Sequence, residues 1–289
     1  MSSTRKATFA WAAVLALSAP LAVNATFVTV TDFDAQPWER TLIAEEGTAE
    51  IVSLAGKGGN LETNAPLPTG AARLTTTDED ASRAEVQYLP DGGFGTVEEI
   101  FTGDLSFSYS MFKGTTGDDF AAPTLKFQFF NAEPELGQGG FTQLIFEPNW
   151  NIPGTEGDST AVTSGEWLDF TVSLDTGLLW TTGGFGQGNS FGGPPLRTLG
   201  EWQTTFNADF GGANLFGISV GLGTFNPDQI GYFDNVQARA GALDVTFDFE
   251  AAAAVPTPAT LPLLAVGLLA LAGMARRRQA QQAAHQSSD

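Results

Sequence analysis

Thirty-three carboxylates, no cysteine and one histidine bound the chemistry open to this 289-residue chain. The histidine, His285, stands in the terminal tail. A Ser-His-Asp triad, a Cys-His pair and a thiolate or imidazole zinc site are therefore excluded from the body of the chain by inventory. What is left is carboxylate chemistry: a glycosidase-type acid and base, or hard cations held by oxygen. The acidic runs Asp78-Glu79-Asp80 and Asp118-Asp119 lack the alternating spacing, glycine and closing glutamate of an EF-hand, so they read as solvated loops. Glu98 and Glu99 are adjacent, and on a strand adjacent side chains face opposite ways, which argues against joint action in one cleft. The chain is expected not to be an enzyme.

Aromatic rings offer a second kind of chemistry. A ring exposed on a binding face stacks on the C–H face of a sugar while nearby amides and carboxylates take its hydroxyls. Most of the five tryptophans after the N-terminal segment (Trp38, Trp150, Trp167, Trp180 and Trp202) should serve the core of so phenylalanine-rich a chain. Trp150, between Asn149 and Asn151, and Trp180, ahead of a glycine-rich loop with Phe185 and Phe191, are the candidates for a sugar-binding face.

These groups must be positioned by strands. Leu105, Phe107, Tyr109 and Met111 alternate with serines, and Leu168, Phe170, Val172 and Leu174 alternate with polar residues. The period of two recurs around Leu125, Ile218 and Val245, and shorter runs follow Phe27 and Ala84. Roughly nine to twelve strands result, a number suited to two packed antiparallel sheets. Glycine, proline and asparagine clusters at 90–93, 137–140 and 183–195 read as turns and loops. The glycine run at 183–188 is not a phosphate loop, because prolines follow it and no Lys-Ser/Thr pair is present. The expected fold is all-β: an antiparallel β-sandwich ectodomain with an N-terminal signal helix and one C-terminal transmembrane helix.

Charge and the two ends complete the organisation. Residues 26–250 hold 32 acidic and 8 basic side chains, a formal charge of −24, which disfavours nucleic acid and anionic lipid. Arg5 and Lys6, an apolar run and the exit Val23-Asn24-Ala25 have the order of a secretory signal at 1–25. At the far end a linker at 251–258 leads to an apolar stretch at 259–275, about 26 Å long as a helix and just enough to span a bilayer. The basic tail at 276–289 would stay cytoplasmic by the positive-inside bias, which leaves 26–250 outside the inner membrane.

Pro256, Thr257 and Pro258, the short apolar helix and Arg276, Arg277 and Arg278 together resemble the PEP-CTERM sorting signal of Gram-negative bacteria, with Thr257 where that family has Glu. The resemblance implies an exosortase-like processing enzyme as partner, membrane anchoring through the helix, and delivery to the cell surface or extracellular matrix after processing. The segments at Thr31-Asp32-Phe33-Asp34, Gly103 to Phe107, Gly165-Glu166-Trp167 and Gly231 to Val236 resemble jelly-roll carbohydrate-binding and laminin-B-like sandwiches. In those folds the first and last strands pair and their acids hold a structural calcium, which implies Ca2+ at Asp32, Asp34 and Asp234, beside Asn235. The expectation is an exported, non-catalytic surface or matrix protein associated with exopolysaccharide. The alternatives are a carbohydrate-binding module and a carboxylate-based glycosidase or lyase.

Overall fold

The computed structural model describes residues 25–252, apart from 36, 115, 116 and 137–139. The signal segment, the sorting box Pro256 to Pro258, the apolar stretch and Arg276 to Arg278 lie outside the described residues. Among those described, no helix is long and apolar enough to cross a membrane.

The described chain is an all-β sandwich. Its thirteen strands are β1 Thr26–Val30, β2 Trp38–Ala44, β3 Thr48–Ser53, β4 Gly70–Thr75, β5 Arg83–Tyr88, β6 Ser106–Lys113, β7 Thr124–Phe130, β8 Phe141–Phe146, β9 Trp167–Ser173, β10 Leu179–Thr181, β11 Asn214–Gly223, β12 Ile230–Ala240 and β13 Leu243–Phe249. The first sheet has seven strands: β12 pairs with β6 on one side and with β4 and β13 on the other, and β9, β3 and β1 extend these. The second has six, in the order β10-β8-β7-β11-β5-β2. The strands expected from the period of two are present as β1, β5, β6, β7, β9, β11 and β13.

The inward face of each sheet supplies the core. Phe107 and Tyr109 of β6 meet Phe127 and Phe146 of the second sheet, with Phe107 and Phe127 ring centres 4.9 Å apart, and Met111 is buried in the same core. Trp38 of β2 stands edge-on to Phe247 of β13 at 5.5 Å. Such edge-to-face pairs add to the burial of apolar area that holds two sheets together. Outside the first sheet, a smaller cluster of Leu54, Ala71, Phe112 and Tyr232 packs with Leu61 and Trp167.

Two expectations need correction. The sandwich is not wholly antiparallel, because β1 runs parallel to β13, Thr26 opposite Val245 and Val30 opposite Phe249. Strands so far apart in sequence need no hairpin between them, so the direction of pairing is free. Glu98 and Glu99 are not on a strand. They lie in the first turn of a short helix, Val97–Ile100, whose capping box returns the Glu99 carboxylate to the Thr96 N–H at 2.9 Å.

Candidate functional site

The outer face of the second sheet is hollowed because of what β11 carries there. Along β11 the side chains of Ile218, Val220 and Leu222 go to the core. The alternate positions, facing out, are Gly217, Ser219, Gly221 and Gly223. The strands beside it put long polar side chains on that face: Lys126 and Gln128 on β7, and Arg83, Glu85 and Gln87 on β5. Beyond β7 come Gln143 and Ile145 of β8, and Trp180 of β10 lies opposite Ile145. A central strand almost without side chains between strands of long ones leaves the middle of this face open, in a groove of about 930 Å3 that crosses the sheet and is lined by residues of all six strands.

Its floor is a connected polar row. The Lys126 ammonium pairs with the Glu85 carboxylate. Ser219 Oγ donates to the other Glu85 oxygen at 2.6 Å, and Gln128 Nε2 lies 3.4 Å from Ser219 Oγ. Toward β2, Gln87 Nε2 donates to Glu39 at 2.7 Å.

Aromatic rings stand along the rim. Phe120, Phe191 and Phe225 line the groove and are 47%, 86% and 77% exposed. Phe191 and Phe225 have φ of 52° and 65°, a left-handed conformation that costs energy for a bulky residue and persists only where its surroundings hold it. Those surroundings are specific. The Phe225 N–H donates to the Asp80 carbonyl and the Thr224 N–H to the Ser82 carbonyl, so the acidic turn at 78–80 clamps one rim loop. On the other side Phe191 N–H donates to Asn189 Oδ1 at 2.7 Å, and the Trp150 indole donates to the Gly192 carbonyl at 3.0 Å.

Glu147 follows β8 on the Trp180 side of the groove. Burial pushes its carboxyl above the usual carboxylate range, while the indoles of Trp180 and Trp150 and the charge of Lys126 act the other way.

Of the residues read from sequence, Trp180 is in the groove. Trp150 buttresses it from behind through Gly192, and its neighbour Asn151 is spent internally on the carbonyls of Glu147 and Leu178. Trp38 and Trp202 are fully buried, and the Trp167 indole donates to the Leu61 carbonyl. Phe185, unlike Phe191, is core.

Asp32, Asp34 and Asp234 are not brought together as a calcium set. Asp32 and Asp34 are exposed, and Asp34 pairs with Arg40. Asp234 is fully buried on β12, accepting from the Phe249 N–H at 3.0 Å, with its other oxygen unpartnered. The charges it feels are those of Asp248 and Glu250 on the β13 side. The first strand does pair with the last, but the last is β13, whereas Asp234 belongs to the strand before it. Among the described residues no group of three or more acidic side chains is placed to hold a metal ion.

Glu85, Lys126, Gln128 and Arg83 went unnoticed in the sequence. Their signal was the alternation Gly-Ile-Ser-Val-Gly-Leu-Gly on β11, which marks a face with no bulk.

No protein-family model matches the chain, and no curated protein matches it in sequence. Its backbone is loosely similar to solved structures. One is a family 11 carbohydrate-binding module from Clostridium thermocellum in complex with a β-1,3-1,4-mixed-linked tetrasaccharide, at 14% identity and a TM-score of 0.35 over 72% of this chain and 91% of that one. A family 11 module of a cellulosomal cellulase of the same organism gives 13% and 0.36 over 72% and 90%. An exo-β-agarase gives 12% and 0.35 over 73% of this chain and 24% of that one.

Proposed function

We propose that the described domain is a non-catalytic glycan-binding domain, and that the groove over β11 takes an extended sugar chain. The observation that carries this reading is the pairing of a polar floor with exposed rim rings, Phe191 and Phe225, held in a conformation that costs energy. Rings in that position stack on sugar C–H faces, and the floor's amides, ammonium and carboxylate match hydroxyls. Six strands at about 4.8 Å spacing give a track of about 24 Å, long enough for several sugars. A glycosidase of the common kind flanks the scissile bond with two carboxyl groups, one donating a proton and the other acting as base or nucleophile. Here Glu85 is committed to Lys126 and Ser219, which leaves Glu147 without such a partner in the groove and supports binding over cleavage.

In the same proposal the domain is exported and displayed at the surface or in the extracellular polysaccharide by the PEP-CTERM-like end. The intact mass of the surface-extracted protein tests that part: a chain from Thr26 to near Pro258 supports processing, and one running to Asp289 leaves a membrane tether.

The binding reading is tested by titrating the purified chain with a panel of four-sugar and longer oligosaccharides while following tryptophan fluorescence, beside a reducing-sugar assay. Expected are a fluorescence change lost in Trp180→Ala and no release of reducing ends. A panel without any response rejects the groove as a glycan site, and release of reducing ends rejects the non-catalytic part.

A further inference from the structure

With 32 acidic side chains against 8 basic ones in residues 26–250, a cation in this domain has many chances to find an anion. Arg40, Arg73, Lys126 and Arg239 pair with Asp34, Glu50, Glu85 and Asp244. Arg83 differs from these four in having no carboxylate partner, and from Lys57, Lys113 and Arg197 in lining the groove. Among the described residues its guanidinium forms no ion pair, and its Nε is buried without a hydrogen-bond partner. The acid on the same face of β5, Glu85, is already engaged by Lys126 and Ser219.

The strand beside it leaves Arg83 room. Gly223 lies opposite Arg83 in the β5–β11 register, and a Cβ there would come within 2.8 Å of the Arg83 Cβ. Phe225 and Asn226 line the same end of the groove, on the loop that follows. A partly desolvated guanidinium without an anion loses hydration and gains nothing in exchange, whereas a carboxylate offers it two parallel hydrogen bonds in a matching plane.

We propose that Arg83 receives the carboxylate of a uronic acid, and that the groove's ligand is a mostly neutral glycan in which such acidic sugars are sparse. The proposal rests on the glycan-binding reading of the groove. A polymer with an acid on every sugar is opposed by the domain's charge of −24. One carboxylate per groove length matches one unpaired guanidinium. With Glu147 on the Trp180 side and Arg83 on the Phe225 side, the groove has an acidic and a basic end, so the acidic sugar also sets the direction in which the chain lies.

The test titrates the purified chain with neutral four-sugar oligoglucosides, oligoxylosides and oligogalactosides, with the same backbones carrying one glucuronate, and with that glucuronate methyl-esterified. Expected is at least tenfold tighter binding of the free uronate than of the neutral or ester form on the preferred backbone. That ratio should shrink as salt is raised and fall toward one in Arg83→Gln, whose thermal midpoint checks its folding. Neutral binding without uronate preference, or a preference that survives Arg83→Gln, overturns the proposal and leaves the groove reading standing. Absence of binding by every form overturns both.

Discussion

Lys126 and Glu85 sit on strands that are not neighbours, and their ion pair forms over β11 because Gly221, on the strand between, has no side chain to separate them. A Cβ built on Gly221 would stand 3.1 Å from both the Lys126 ammonium and a Glu85 oxygen. The floor of the groove is therefore level where it would otherwise be ridged, and its charges neutralise one another instead of repelling or trapping a ligand.

Gly221→Val should consequently remove glycan binding without unfolding the sheet. The atoms that a new side chain would displace are the ends of flexible chains, and a β-branched residue suits a strand. A loss of affinity of tenfold or more, with a stability change within about 2 kcal/mol by denaturant melt, is expected. Retained affinity in a folded variant would mean that the ligand does not reach the floor.

Phe191 gives a prediction of opposite sign for stability and binding. The ring is 86% exposed and its φ is 52°, so Phe191→Asn gives up little burial and relieves an unfavourable backbone. The variant should be more stable by about 0.5–1 kcal/mol, and should bind glycan more weakly. A gain in stability with unchanged affinity would show that the ring only decorates the rim.

Asp234 makes the domain's stability depend on pH in an unusual direction. Burial, with Asp248 and Glu250 adding to it, pushes its carboxyl up to about 7. The folded form thus holds a proton that the unfolded chain gives up near the ordinary value of about 3.9. The stability this confers is present below about pH 4 and is lost as pH rises to 7, after which it is constant. Glu147 and Asp248 shift the same way. Glu62, Glu99 and Glu156 are lowered and act at more acid pH. Melts in chelator should show a less stable protein at pH 8 than at pH 5. Asp234→Asn should flatten that slope and stabilise at pH 8 by an amount of the order of 2–4 kcal/mol. An unchanged slope in the variant would assign the effect to other groups.

The sandwich was legible where one face of a strand is buried and the other wet, as in Phe107-Ser108-Tyr109. It was less so at β12, where Tyr232, Phe233 and Asp234 are all buried and Asn235, at a φ of 51°, breaks the alternation. β2 was hidden by an irregularity between Arg40 and Leu42. Trp180 was legible as a groove residue from its place before a loop. Arg83 and Glu85 were not, because charged residues on a strand look the same whether they face bulk water or a trough. The difference lies in the glycines of another strand, more than 130 residues away.

The pairing of β1 with β13 has a mechanical side. Because these strands run the same way, with Thr26 beside Val245 and Glu250 N–H bonded to the Val30 carbonyl at 3.0 Å, tension between the two ends of the domain draws them past one another along their length. The rungs between them then carry the load together, in shear, instead of opening one by one from a free end. Pulled by its two ends, the sandwich resists being opened at its first strand.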